Sequence, residues 1–331
     1  MKFITLFVLL GAAALAGCET TVDLPEPPHT PRVALQYLLT TAPQDSSFRE
    51  LFGSRQLYVS KSQRVFSGDY FLGRADASVE LRDAADQVVE RYRPVGTGRN
   101  PQPGYPGDRG FYRPVLGFRP QAGQRYTLRA TLPGLETAES TLTMPQPAVV
   151  ESGTYVARAV AGPNSGMYRG RLTVVLQDDP AAANYYLVFA RLLDQQGQPG
   201  SWQPLDLDWD SQANDVPGDQ PQLSTPQQGY GTDIYPFADT NANGQRITMA
   251  SDVQFSSSCY PPGPRCPGPG YIEVHVSSIT REAYNFYLSR RRYYESTNNP
   301  FAEPAPVVSN VRSGYGLFGG ATDATYRIRI F

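Results

Sequence analysis

The sequence predicts a mainly β protein built from two antiparallel β-sandwich-like domains, the second of which carries one packed α-helix at about residues 280–296. Three observations support this fold class. Apolar and polar residues alternate in many short runs, as expected of strands with one buried face. Tyr occurs 21 times, and aromatic and β-branched residues favour strands. The 30 Gly and 30 Pro residues cluster largely between these runs, where they mark turns.

The first group of strands precedes a pair of prolines, Pro145 and Pro147, that predicts a domain boundary. Its clearest runs are RVALQYLLT, QLYVS, ASVELRDA, QVVERYR, GFYRPVLGF and GQRYTLRATLPG. In the third run, Val79 and Leu81 alternate with polar neighbours, which is the period of a half-buried strand. We therefore expect an N-terminal β-sandwich of immunoglobulin-like or carboxypeptidase-regulatory-like type over residues 33–146.

The second group of strands occupies residues 147–331. GRLTVVLQDD and NYYLVFARLLD are expected strands, and a long polar insert over residues 195–233 follows them. QRITMASDVQFSS and YIEVHVSSI are expected to form the two arms of a hairpin. His275, in the second arm, alternates with apolar neighbours, so we expect it to face solvent rather than to act in catalysis. A last strand is expected over residues 325–331.

TREAYNFYLSRRRYYEST is the one convincing helical segment. Thr280 is expected to cap its N-terminus, with Glu282 in the first turn and arginines toward the end, as the helix dipole favours. One face carries apolar and aromatic residues at helical spacing, namely Ala283, Phe286, Tyr287 and Tyr294. We expect this face to pack on a sheet; the alternative is a ligand platform.

The N-terminus is typical of a targeting segment. Lys2 precedes an apolar core over residues 3–16, which as a helix would span about 21 Å, less than the roughly 30 Å of a bilayer core. A secretory signal therefore fits better than a transmembrane helix. The sequence LAGC resembles a bacterial lipobox, in which residues 1–17 are removed and Cys18 becomes the acylated first residue. The alternative is an ordinary signal peptide cut after Ala14.

The segment that follows Cys18 is expected to be a tether. DLPEPPHTP packs four prolines into nine residues, and such a chain is extended and semi-rigid. Residues 18–32 would hold the folded part off the bilayer, and several acyl chains such as palmitate would make the anchoring stable.

Two further cysteines, Cys259 and Cys266, flank a six-residue Pro/Gly loop in SSSCYPPGPRCPGPGY. In an exported protein we expect them to form a disulfide, which would contribute about 2.5 kcal/mol in the chain-entropy account. A zinc site is a weaker alternative, because zinc needs four ligands and the folded region adds only His275. Free thiols are the remaining alternative.

Two acidic segments are candidate calcium sites. DTNANG places three oxygen ligands, Asp239, Asn241 and Asn243, as in the first half of a D-x-N-x-N-G loop, but Ala250 stands where the twelfth-position Glu is expected. PLDLDWD places three carboxylates on one face of an expected strand, namely Asp206, Asp208 and Asp210. A polar turn and a solvated acidic face are the favoured interpretations, so we predict no cofactor and keep calcium as an alternative.

Several function classes are disfavoured. The net charge is −2 and no basic stripe extends beyond SRRR, which argues against nucleic-acid binding. A serine hydrolase needs a base beside its nucleophile, and the folded region offers His275 alone and no G-x-S-x-G. The glycines of GYGLFGG do not follow a strand and open a helix, which argues against a phosphate loop. We predict no catalytic residue.

Several segments together resemble the domain-of-unknown-function 4249 family of Bacteroidota lipoproteins. They are CETTVDLPEPP, GQRYTLRATLPGLETAESTLTMP, ANYYLVFARLL, VHVSSITREAYNFYLS and NPFAEPAPVVSNVRSGYGLFGG, and the last is the most specific. The cysteine loop and the long polar insert depart from the family pattern. The resemblance implies an outer-membrane lipoprotein, often accompanied by TonB-dependent receptors, and it implies no established activity.

We therefore expect a non-enzymatic outer-membrane lipoprotein that serves as a binding or accessory module for a TonB-dependent transporter. The second hypothesis is a structural or surface-interaction lipoprotein without a small ligand, and the third is a carboxylate-based hydrolase. The periplasmic face and the cell surface both stay open. Surface-export signals tend to be acid-rich, and here neutral residues separate Glu19 from Asp23.

Overall fold

The architecture is that of a computed structural model of the chain. It describes residues 27–42, 55–64, 67, 73–95, 110–158, 167–199, 205–216, 220–225, 234–256, 269–297 and 305–330. The chain divides into two compact units, Met1–Thr30 with Gln63–Asp69 and Pro31–Ser62 with Tyr70–Phe331. In the first unit the described residues are 27–30, 63–64 and 67. All the strands and the helix given below belong to the second unit.

The described part of the chain contains fifteen strands, one α-helix and a short 3₁₀ turn at Gln212–Asn214. The strands are β1 (Val33–Thr40), β2 (Leu57–Lys61), β3 (Ser78–Arg82), β4 (Val88–Pro94), β5 (Phe111–Pro114), β6 (Arg125–Thr131), β7 (Ala138–Thr143), β8 (Val149–Arg158), β9 (Met167–Gln177), β10 (Tyr185–Leu193), β11 (Asp206–Leu207), β12 (Phe237–Ala238), β13 (Arg246–Ser256), β14 (Tyr271–Ile279) and β15 (Gly314–Arg329). The helix is α1 (Arg281–Thr297).

The strands form two sheets. Eleven of them make one sheet, in the order β12-β10-β14-β15-β1-β2-β5-β4-β3-β6-β7, and the other four make a second sheet, in the order β11-β13-β9-β8. Strands β1 and β15 run parallel, with Val33 opposite Gly314, and the other paired strands are antiparallel. The predicted mainly β, sandwich-like class with one helix is confirmed.

Three apolar cores stabilise the second unit. The first lies on one face of strands β1 to β7 and includes Leu81. The second lies between the two sheets, where Val174 of β9 and Val274 of β14 are both fully buried. The third lies beneath α1, where Phe286 packs with Phe189 of β10. The strands β10 and β14 are therefore covered on both faces.

Helix α1 occupies the predicted place, one residue later at each end. The side-chain oxygen of Thr280 accepts a hydrogen bond from the Ala283 N–H at 3.4 Å, which confirms the predicted cap. Ala283, Phe286 and Tyr287 are buried, as expected of the face that packs on the sheet. The arginines were expected toward the end of the helix, but Arg292 is the last of them and the final turn contains no basic residue.

The prediction that His275 faces solvent is wrong. His275 is only 7% exposed, and its register partner on β10, Phe189, belongs to the core beneath α1. The alternation of polar and apolar residues in β14 shows which side chains share a face, but it does not show that the more polar face is also covered. The His275 Nε2 lies 2.9 Å from Oε1 of Glu273.

The predicted hairpin is also wrong. β13 pairs with β9 and β11 in the four-stranded sheet, whereas β14 pairs with β10 and β15 in the large sheet. Met249 of β13 and Val276 of β14 both line the core between the sheets, so these strands contribute side chains to the same core instead of pairing through their backbones. Cys259 and Cys266 lie outside the described residues.

The last strand is much longer than predicted, because β15 begins at Gly314 and includes the glycine-rich GYGLFGG segment. Gly316 has φ +111°, and a Cβ there would lie 1.8 Å from the Leu35 carbonyl oxygen. A Cβ on Gly319 would come within 2.8 Å of the Ala283 Cβ on α1. These glycines permit close approach of neighbouring elements within a strand.

The predicted domain boundary, at residues 146–147, falls between β7 and β8, which belong to different sheets. The first core also includes Val311 and Phe318 from near the end of the chain. The division into two domains stays a prediction.

Candidate functional site

The predicted functional residues fall in three places. Cys18, Cys259 and Cys266 lie outside the described residues, so the lipidation and the disulfide stay predictions. The DTNANG turn and the PLDLDWD segment contain the six candidate calcium ligands, and the structure describes all six.

The DTNANG turn connects β12 to β13 and is held by protein donors. Oδ2 of the buried Asp239 accepts a hydrogen bond from the Asn184 N–H at 2.8 Å. At the end of the turn, the Gly244 N–H donates to Oδ2 of Asp178 at 2.8 Å. Asn241 and Asn243 are exposed. The observed contacts thus correspond to a polar turn, whose buried carboxylate is already engaged by the backbone.

The carboxylates of PLDLDWD do not form the predicted row. Strand β11 contains only two residues, and the alternation ends at Leu207, so that Asp208 is buried while Trp209 is exposed. The Asp206 side chain accepts from the N–H of Leu207. Asp208 and Asp210 instead share a cation, since Arg169 lies 3.7 Å from Oδ1 of Asp208 and 2.7 Å from Oδ2 of Asp210.

These two aspartates line an open cleft of about 520 Å³, which we call the Arg/Asp cleft. Its walls come from the ends of β8 and β9, from β13, and from the loop that follows β11. The lining residues are Arg158, Arg169, Asp208, Asp210, Ser211, Gln212, Ala213 and Asp252. The cleft is the best candidate for a functional site among the described residues, because it joins charged groups from distant parts of the sequence in one concave surface.

Asp252 is the buried centre of the Arg/Asp cleft. Its carboxylate is fully buried, contacts Arg158 and Arg171, and accepts a hydrogen bond from the Ser211 hydroxyl. Burial favours the neutral form, but the hydrogen bonds from Ser211 and the two arginines outweigh it, and the pKa of Asp252 lies below its ordinary value. Asp252 is therefore ionised at neutral pH.

Asn214 fixes the loop that forms one wall of the cleft. Its Oδ1 accepts from the Asp252 N–H at 2.9 Å, and its Nδ2 donates to the Asp252 carbonyl at 2.7 Å and to the Asp208 carbonyl at 3.0 Å. The side-chain amide thus makes the two backbone hydrogen bonds to Asp252 that a neighbouring strand would otherwise make. The wall is held by specific bonds, as a preformed binding site requires.

The chemistry of the cleft is that of recognition by charged and polar groups. Guanidinium groups present N–H donors, and carboxylates present acceptors, in a fixed mutual geometry. The lining residues include no histidine or cysteine, and the one hydroxyl, that of Ser211, donates to Asp252.

A second charged cluster lies on β10, β14 and β15. Glu273 is buried and accepts hydrogen bonds from Arg191 at 2.7 Å and 2.9 Å and from Arg327 at 2.9 Å. Burial opposes its ionisation, but His275 and Arg191 outweigh this and lower the pKa of Glu273 to about 2. This carboxylate is engaged by Arg191 of β10 and Arg327 of β15, the two strands that flank β14, which suits a structural role.

Within the described ranges, two kinds of feature are absent. No group of three or more His, Cys, Asp or Glu side chains there could hold a metal ion. No helix in the described ranges has both the length and the apolar character needed to cross a membrane.

Sequence reasoning found Asp208 and Asp210 but missed Arg158, Arg169 and Asp252. Part of the signal was available, because MYRGRLTVV places two arginines on the same face of a strand. The missing information was the pairing of β8, β9 and β13, which unites residues that lie almost a hundred positions apart.

Comparison with known families gives one result. A family model described as a domain of unknown function, DUF4249, matches residues 45–327, which is most of the chain. No curated protein matches the sequence.

Proposed function

The chain belongs to the DUF4249 family, and we propose that it is a lipoprotein, anchored in the outer membrane through Cys18, that serves as a non-enzymatic binding or accessory module for a TonB-dependent transporter. The observation that carries the binding role is the Arg/Asp cleft. It is open and charged, and its loop wall is held by Asn214. The anchor is supported by the lipobox and by the proline-rich tether behind it.

The position of the cleft suits presentation to a partner. The chain enters the second unit beside the start of β15, because Val33 pairs with Gly314. Gly153 of β8 packs against Ile328, near the other end of β15, which at about 3.3 Å per residue lies roughly 46 Å away. β8 then continues to Arg158 at the cleft. The cleft and the chain entry therefore lie toward opposite ends of β15.

The electrostatics of the cleft favour binding over hydrolysis. A carboxylate-based hydrolase needs an acid whose pKa is raised toward the working pH. At the centre of the cleft, Ser211 and two arginines stabilise the ionised form of Asp252, whose pKa is lowered instead of raised. An ionised carboxylate of this kind suits binding of a polar ligand or a partner surface, and it is a poor proton donor at neutral pH.

Metabolic labelling tests the anchor. Cells that express the protein with a radioactive fatty acid should label the wild type, and Cys18→Ala should abolish the label. Cys259→Ala is the matched control and should retain it. An unlabelled wild type, or a label that persists in Cys18→Ala, would refute the anchor.

Affinity purification from solubilised membranes tests the accessory role. A tagged wild type should co-purify with an outer-membrane β-barrel receptor. A Gln212→Ala, Arg158→Ala double variant should lose the receptor or its ligand if the cleft carries the function. An exposed ion pair away from the cleft, removed by Arg246→Ala, is the matched control. Absence of any barrel partner from the wild-type preparation would contradict the accessory role.

A further inference from the structure

Four of the nine large apolar side chains that are exposed in the described part of the chain gather on one surface. They are Tyr293, Val307, Val308 and Tyr315, each between 40% and 49% exposed. We call this surface the apolar patch. Exposed apolar residues that occur singly are ordinary, whereas a contiguous group marks a contact with another apolar phase.

Hydrogen bonds connect the segments that carry the patch. The Val308 N–H donates to the Ser289 hydroxyl at 2.9 Å, and the Ala305 N–H donates to that of Ser296 at 3.3 Å. Tyr293 lies between these two serines on one face of α1, four residues after the first and three before the second. Ser309, which follows Val308, accepts a hydrogen bond from the Gly316 N–H at 3.0 Å. This bond brings the segment that carries Val307 and Val308 beside Tyr315.

The patch lies beside the place where the chain enters the second unit. Tyr315 is the register partner of Ala34, the second residue of β1. The fourteen residues between Cys18 and β1 are rich in proline and reach at most about 43 Å in extended form. An acylated Cys18 would thus leave this end of the unit within reach of the bilayer, and the apolar patch lies at this end.

We propose that the apolar patch docks into the interfacial layer of the lipid bilayer as a second membrane contact beside the acylated Cys18. The proposal rests on the lipid anchor of the proposed function. Tyrosine suits this layer, because its ring is apolar and its hydroxyl is polar. Exposed arginines on both flanking elements, Arg292 and Arg312, can extend their aliphatic stems along the surface and keep their charges at the headgroups.

Site-specific photo-crosslinking on vesicles tests the docking. The full chain is expressed with p-benzoylphenylalanine at residue 308, allowed to mature, and reconstituted in vesicles of phosphatidylethanolamine and phosphatidylglycerol that contain a radiolabelled phospholipid. The matched control carries the probe at residue 156, where Val156 is more exposed than any residue of the patch. We expect at least roughly tenfold more lipid crosslinked at residue 308 than at residue 156, because burial of apolar side chains favours the docked state.

The outcomes separate the two proposals. Docking is refuted if the protein floats with the vesicles but crosslinks lipid equally weakly at both residues. It is also refuted if residue 308 crosslinks to a protein in native membranes and to no lipid in vesicles, because the patch is then a protein interface. A chain that carries no acyl group and fails to float refutes the anchor, and the docking with it. A Val307→Asp, Val308→Asp double variant with the probe at residue 293 should float normally but lose the lipid crosslink.

Discussion

Replacement of Arg55 by methionine should strongly destabilise the fold, because Arg55 neutralises a buried charge. Its side chain is 0% exposed and its NH1 contacts both carboxylate oxygens of Asp323, at 2.8 Å and 2.9 Å. The same guanidinium donates to Ser277 on β14 and to Thr40 on β1. In Arg55→Met, the two hydroxyl groups would be the remaining partners of a carboxylate that is itself almost fully buried.

The magnitude follows from the cost of a buried, unpaired charge. Removal of one partner of a buried ion pair costs about 3–5 kcal/mol of the free energy of unfolding. A matched surface change gives the scale: Arg312→Met removes an exposed pair with Glu139 and should cost less than about 1 kcal/mol. Urea unfolding of the wild type and both variants, followed by tryptophan fluorescence, measures the difference.

The pH dependence of the Arg55→Met deficit tests its electrostatic origin. In the wild type, burial opposes ionisation of Asp323, but Arg55 and the hydroxyl donors outweigh it and lower the pKa. The wild type therefore keeps this stabilisation above the unfolded pKa of about 4 and loses it below. Without Arg55, burial should raise the pKa of Asp323, so the variant gains from protonation as the pH falls. The deficit should shrink between about pH 7 and pH 5. A deficit below about 1 kcal/mol, or one that is equal at both pH values, would refute this account.

Three further changes test other parts of the structure. Gly316→Ala should prevent correct pairing of β15 with β1 and abolish the cooperative unfolding transition, because the new Cβ would overlap the Leu35 carbonyl. Gly117 also has a positive φ but has open space around it, so the control Gly117→Ala should cost about 1 kcal/mol of the free energy of unfolding in a denaturant titration. Thr280→Ala should cost about 1 kcal/mol through the lost cap of α1, while Thr280→Ser should recover most of it; equal losses for both would contradict a capping role. Glu273→Gln should destabilise the protein at neutral pH. The difference in the free energy of unfolding between variant and wild type should close as the pH falls from about 4.3 toward 2, because the lowered pKa of Glu273 means that its ionised form stabilises the fold fully only above that window. A difference that is constant with pH would show that the ionised form contributes nothing.

Local signals predicted most of the elements. Alternation located β3, β6, β10 and β14, and the spacing of Ala283, Phe286 and Tyr287 located α1 and its buried face. These features depend on neighbours a few residues apart, which the sequence displays directly. The first strand was also correctly placed, although its pairing with the last one was not anticipated.

The errors came from contacts between distant segments. The proximity of β13 and β14 in sequence suggested a hairpin, but the two strands belong to different sheets that share one core. The predicted last strand did not include the glycines of β15, because only the packed neighbours, Leu35 and Ala283, explain why side chains are excluded there. Likewise, the sequence placed Asp208 in a row of carboxylates, because it does not show that Arg169 of β9 lies beside Asp208 in the folded protein.

The parallel pairing of β1 with β15 has a consequence for how the protein is made. The first strand of the folded unit finds its central partner only when residues 314–321 are available, so the large sheet cannot be completed before those residues are synthesised. Contacts of such long sequence separation form slowly. If the N-terminal segment directs export, as the proposed function requires, the chain would reach the secretion channel with an unfinished sheet, which is the state that a channel for unfolded chains accepts.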